Sequence, residues 1–303
     1  MAAPLRGTQS LVGQMGWVFD RPSLTALEVA WRWVFGIPFL TLSWMLTLSI
    51  LSNLSKMEML SPDLTLIDTQ NPWVAAQQLA RLGSITQPHV IETALWFLPL
   101  AALVWVIVSG VGRGLLLKHM VPSVHFRPAA MIVLQAAWLA LFAATYWGWL
   151  RSMEWAAATH IAIAGEPDLI GYSMWVIFLS LGFFTAWALL SWPFAIAPVL
   201  MLLEDCGPTQ ALARSLQLGK PFASKLVEIN LVMGIVKLAL FVVAMVLSAA
   251  PLPFSDQLGA DTLHWITAAA AIFYFVGSDY FQVVRLKGFV EFWKMFRGGE
   301  LAS

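Results

Sequence analysis

Residues 171–203 run for 33 positions without a charged side chain. As one α-helix that stretch is about 50 Å long, against a bilayer hydrocarbon core of roughly 30 Å. A run of this length reads as a membrane span. Five further stretches qualify: about 29–51 with only Arg32 inside it, 93–111 and 129–150 without a charge, 226–250 with Glu228, Asn230 and Lys237, and 263–284 with Asp279. Composition agrees. Charged residues make up 11% of the chain and mean hydropathy is +0.76. A soluble surface needs roughly 25% charge, so this exterior must face lipid. The 16 tryptophans fit the headgroup level of a bilayer. The expected fold is an all-α integral membrane protein, a six-helix transmembrane bundle forming one polytopic domain over 1–303.

Loop charge sets the orientation. With the N-terminus inside, Arg6, Arg21, Arg113, Lys118, Arg127, Arg214, Lys220, Lys225, Arg285, Lys287, Lys294 and Arg297 are inside, and only Lys56, Arg81 and Arg151 are outside. Twelve against three predicts that both termini are cytoplasmic. Residues 1–24 lack an uninterrupted apolar core, so no cleavable leader is expected and the first span targets the chain. Pro193 and Pro198 each remove a backbone donor, which predicts a bend or unwound turn between Trp192 and Pro198.

Three short amphipathic helices are expected, either lying in the membrane interface or serving as connectors packed on the bundle. One opens at Asn71-Pro72, one runs from Gly207-Pro208 to Gly219, and one carries Lys287, Glu291 and Lys294 opposite Phe289, Phe292, Trp293 and Phe296. The first two align without gaps over 72–92 and 208–228. Pro72 matches Pro208, Ala75 Ala211, Leu82 Leu218, Gly83 Gly219 and Glu92 Glu228. This is either an inverted repeat of the kind that builds transporters or the shared chemistry of two proline-started helices.

Ionisable groups inside a membrane are costly and mark candidate sites. Lys237 and Asp279 lie at similar depth in consecutive spans, as either a helix-locking pair or a coupling site. Glu28 and Arg32 are four apart on one helix face. Glu228, Arg113 and Asn230 complete the polar set. His89, His160 and His264 fall at outer helix ends; they are weak zinc candidates, because none sits in a ligand-spaced pair, and no metal or cofactor is expected. Zero net charge argues against nucleic-acid binding. One cysteine, Cys206, excludes an intrachain disulfide, and its acidic neighbours discourage a thiolate. No phosphate-binding glycine loop or nucleophile motif is present, so no enzyme is expected.

The stretch WPFAIAPVLMLLEDCGPTQALARSLQLGKPFASKLVEINLVMGIVK, from Trp192 to Lys237, resembles the membrane domain associated with glycerophosphodiester phosphodiesterases and its stand-alone bacterial relatives of unknown function. The shared positions are Glu204, Gly207, Pro208, Ala211, Leu212, Ser215 and Leu218. The resemblance implies a membrane module in the bacterial cytoplasmic (inner) membrane, without the phosphodiesterase domain. Its expected role is structural, lipid-related or partner-binding, with helix 208–218 able to dock another membrane or cytoplasmic protein. The alternative is a secondary transporter or permease component with its site around Lys237, Asp279 and Glu228.

Overall fold

The computed structural model describes residues 7–56, 72–161, 168–217, 220–251 and 259–300. Among these every regular element is an α-helix: α1 (Gly7–Phe19), α2 (Pro22–Lys56), α3 (Pro72–Met120), α4 (Pro128–His160), α5 (Leu169–Leu203), α6 (Pro208–Leu216), α7 (Lys220–Ala249) and α8 (Ala260–Glu300). Four of them start on proline, whose fixed φ suits the first helical turn and whose missing N–H is not needed there. Stretches within α2, α3, α4, α5 and α7 are long and apolar enough to cross a membrane. The protein is a multi-pass helical membrane protein.

The described residues form two compact units. The smaller, Trp31–Val108, contains the C-terminal part of α2 and the N-terminal part of α3. Aromatic rings join them: Trp105 meets Trp31 at 5.9 Å and Phe35 at 5.0 Å, and Phe39 stacks on Phe97 at 5.5 Å.

The larger unit, Met1–Ala30 with Ser109–Ser303, holds its core at one end of its helices. Leu116, Met131, Leu200, Met201, Ile229, Val283 and Phe289 are buried together there. Toward the other end the same helices turn large apolar side chains outward, including Ile177, Phe184 and Val246. Such faces are stable only against lipid. The buried end has a hub in α8, which packs on α1, α5 and α7.

Four features differ from expectation. The amphipathic segment beginning at Pro72 is continuous with the second span, giving a 49-residue α3. The C-terminal amphipathic segment likewise continues α8 to Glu300. Of the three segments only α6 is a separate short helix, and Asn71, Leu218 and Gly219 lie outside the described residues. The aligned segments 72–92 and 208–228 are therefore built differently, one unbroken and one with a helix cap at Gln217. Third, α5 stays helical from Leu169 to Leu203, so of the expected bend or unwound turn it is the unwound turn that does not form. Its prolines forfeit the bonds to the Leu189 and Phe194 carbonyls, but Pro193 and residues 196–202 are packed inside the buried end, which holds the helix together.

The fourth is α1, an element the hydropathy pattern does not announce. Leu11, Met15 and Val18 face the core, while Gly13 and Gly16 have no neighbour within 4 Å of an added Cβ. Glycine weakens the helical signal on the outer face without affecting the packed one. The Tyr280 hydroxyl donates to the Met15 carbonyl at 2.8 Å, and the Trp17 ring lies between the Arg21 guanidinium at 3.9 Å and the Lys287 ammonium at 4.0 Å. These contacts strap α1 to α8.

Candidate functional site

The α3 end that enters the larger unit approaches α4 closely because it carries glycine. A Cβ at Gly110 would come within 2.9 Å of the Ile132 backbone, and one at Gly114 within 2.7 Å of the Phe126 ring. Gly110-x-x-x-Gly114 is the small-residue spacing that lets membrane helices touch. Arg113 sits between the two glycines and is held against the α4–α5 pair by that approach.

From the facing side α8 contributes Gln282 and Arg285, three residues apart and so on one face. With Arg113 they line a cavity of about 200 Å³. Its walls include Trp138 of α4 and Trp187, Ser191, Phe194 and Pro198 of α5. Arg113, Arg285 and Gln282 thus bring polar groups to a pocket walled by Trp138, Trp187 and Phe194, with Ser191 among its lining residues. Guanidinium donates in a planar fork that matches phosphate or carboxylate oxygens. The chemistry on offer is anion recognition beside an apolar wall.

Of the expected site residues, Arg113 alone lines this cavity; Gln282, Arg285 and Ser191 were not anticipated. In the sequence Arg285 counts as loop charge, and its place three residues after Gln282 is the one signal that puts it on the same helix face. Asp279 is 4% exposed and Lys237 half-buried. Their helices run antiparallel in a register set by Phe241 against Tyr274 at 5.8 Å, Leu240 against Gly277 and Ile229 against Gly288. That register brings Lys237 and Asp279 to within about one turn in depth. Glu28 is 1% exposed, and the Arg32 guanidinium lies 5.2 Å from the Trp31 ring. The buried Oδ1 of Asn230 has no hydrogen-bond partner. Gln135 Nε2, on α4 one turn before Trp138, is likewise buried and unpartnered.

The loop that carries the family-like positions is a built turn. Glu204 caps α5 and Asp205 follows at φ 51°, the left-handed conformation usually given to glycine. The Cys206 N–H then reaches back to the Met201 carbonyl at 3.2 Å, the long bond of a Schellman motif. Gly207 is extended and Pro208 starts α6, with Ala211 and Ser215 fully buried and Leu212 half-buried. Arg214 returns from α6 to bond the buried Glu204 carboxylate, which raises the Arg214 pKa. Arg127, just before α4, pairs with Asp205 at 3.3 Å and donates to the Cys206 carbonyl at 3.3 Å. Burial pushes the Cys206 thiol up, away from the reactive thiolate.

Among the described residues no three His, Cys, Asp or Glu side chains gather as a metal site. His160 instead faces Asp168, Nδ1 to Oδ2 at 3.3 Å. His89 lines a small cavity with Glu92, Asn53 and Ser49 in the smaller unit, and His264 is exposed. Compared with family models, curated proteins and solved structures, the chain matches none.

Proposed function

We propose that the chain is a six-span protein of the bacterial inner membrane, both termini cytoplasmic, with a lipid-related role seated at its buried end. The observation that carries the reading is the cavity where Arg113 and Arg285 enter between aromatic walls. Loop charge supports a cytoplasmic position for that end, at the level where anionic headgroups lie. The sixth span is the 263–284 part of α8. Its antiparallel packing on α7 from Tyr274 to Gly288 supports that reading. Its lower hydropathy reflects Asp279 and Gln282, which are buried inside the unit and do not face lipid. The resemblance of residues 192–237 to the phosphodiesterase-associated membrane domain belongs to the same reading. The outer face of α6, with Gln210, Ala213, Arg214 and Leu216 exposed, offers a surface for a second protein. The reading carries no catalytic step.

Its test is the lipid that leaves the membrane with the protein. Extracted in a polymer nanodisc, the protein should carry more acidic phospholipid than the surrounding membrane, and the Arg113→Gln/Arg285→Gln double variant should lose that excess. Bulk lipid ratios around both proteins would refute it.

The register of α7 and α8 favours one other reading, a transporter or permease component coupled through Lys237, Asp279 and Glu228. There the pair would trade protons or ions and not merely lock two helices. A Lys237→Met/Asp279→Leu variant that folds normally but abolishes ion-dependent uptake would select it.

A further inference from the structure

We propose that the α2–α3 pair holds an exchangeable zinc-class divalent ion between His89, Glu92 and Asn53. The site lies wholly within the smaller unit and is independent of the lipid reading above.

The α3 helix carries His89, Glu92 and Thr93 at positions i, i+3 and i+4, the spacing that puts side chains on one helix face. The α2 helix offers Ser49 and Asn53, four apart and so also on one face. These five residues line one cavity of about 150 Å³, together with Leu46 and Ile50. The packing of the two helices agrees. Trp31 meets Trp105 and Phe39 stacks on Phe97, so α2 and α3 run antiparallel. Ten residues further along α2 from Phe39 stands Ser49, and eight residues back along α3 from Phe97 stands His89. The register that the aromatic rings set therefore brings the polar faces together.

A volume of 150 Å³ equals about five waters at roughly 30 Å³ each. Whole small-molecule sites begin at roughly 300 Å³. The cavity thus has room for an ion with part of its water shell and not for an organic ligand. Glu92 brings a carboxylate, and neither lysine nor arginine is among the lining residues, so the ion is a cation. Among the described residues neither the His89 ring nor the Glu92 carboxylate is engaged in an ion pair or side-chain hydrogen bond.

The donor types select the metal. Magnesium and calcium prefer a shell made of oxygen alone, whereas zinc accepts imidazole nitrogen beside carboxylate oxygen. His89 and Glu92 supply those two ligands. The Asn53 amide oxygen, with the Ser49 hydroxyl or water, completes the coordination. A structural zinc site closes with four strong protein ligands. Two strong ligands hold the ion more loosely and leave it exchangeable. Glu92 is exposed, which gives the ion its way in. In the topology proposed above, the cavity lies at the external ends of the first two spans. Because Asn53 is on α2 and the other ligands are on α3, the bound ion ties the two helices together.

The test is calorimetric titration of the tag-free full chain in detergent with zinc chloride or magnesium chloride. One zinc should bind at this site, at least about tenfold more tightly than magnesium. His89→Gln and Glu92→Gln should each weaken zinc binding about tenfold or more, and Asn53→Leu should weaken it severalfold. His160, which faces Asp168, also sets an imidazole beside a carboxylate. His160→Gln should leave this affinity unchanged. Labelling of histidines with diethyl pyrocarbonate, read by mass spectrometry, locates the ion on the parent chain and decides the matter if the variants fail to fold. Saturating zinc should protect His89 and leave His264 reactive. Equal affinity for zinc and magnesium, unchanged zinc binding in His89→Gln, or labelling of His89 at the same rate with and without zinc would overturn the proposal. Unchanged affinity in Asn53→Leu would overturn the bridge between the helices.

Discussion

Asp205 holds the α5–α6 turn at φ 51° without being glycine. A left-handed backbone costs an ordinary L-residue roughly 1–2 kcal/mol, less for Asp, whose side chain bonds locally. Its exposed pair with Arg127 returns at most about 1 kcal/mol. These effects nearly cancel, so Asp205→Gly should leave stability within about 0.5 kcal/mol of the parent, whereas Asp205→Val, branched at Cβ, should lose about 2 kcal/mol. Thermal unfolding in detergent compares them. The glycines of α3 permit a sharper contrast. Gly110→Ala pushes a methyl into the Ile132 backbone, which cannot move aside, and should cost about 1–3 kcal/mol. Gly114→Ala meets only the edge of the Phe126 ring, which can rotate, and should cost less. Equal losses at the two positions would mean that the α3–α4 approach is looser than described.

At the scale of the helix, α5 shows what hydropathy conveys and what it leaves out. Its length, its apolar character and its end at Leu203 are legible, because an uncharged run stops at Glu204-Asp205. The unbroken helix through Pro193 and Pro198 is not, because proline propensity is local and the packing around it comes from other helices, α4 and α6 above all. The same holds for α1, whose glycines dilute its pattern, and for Arg285, whose role depends on which helices converge. Where α5 starts, the Asp168 carboxylate accepts from the Gly171 N–H at 2.8 Å. That bond, aided by His160, holds its carboxyl below the usual range. A group whose folded pKa is depressed stabilises above its unfolded pKa, and the effect fades as pH falls through the folded value. Asp168→Ala should therefore lower the melting temperature at neutral pH, and the gap should close as the pH is taken below the carboxylate range. Glu291 behaves alike at the end of α8. Burial opposes its charge, but Lys287 at 2.6 Å and Lys294 at 3.5 Å outweigh that and hold its carboxyl down. A gap for Asp168→Ala that widens with acidification would mean that the cap is not the ionised form.

At the scale of the whole molecule, the polar side chains concentrate where the larger unit is packed, and its other end presents apolar faces. If Lys237 and Asp279 lock α7 to α8, removing either charge alone should destabilise the protein by about 3–5 kcal/mol, because the partner stays behind in a low dielectric. Replacing both with Met and Leu should recover most of that loss, and a double-mutant cycle from melting in detergent measures the coupling. A coupling near zero would mean that the side chains do not meet. All of this presumes that α8 crosses the bilayer and returns the chain to the side from which it began. Single cysteines at Ser255→Cys and Ser303→Cys, in a Cys206→Ala background, test that with a membrane-impermeant maleimide. Ser255→Cys should label in intact cells whose outer membrane is permeable, and Ser303→Cys only after the inner membrane is opened. Labelling of both positions from the same side would contradict the sixth span, and with it the cytoplasmic placement of the C-terminus.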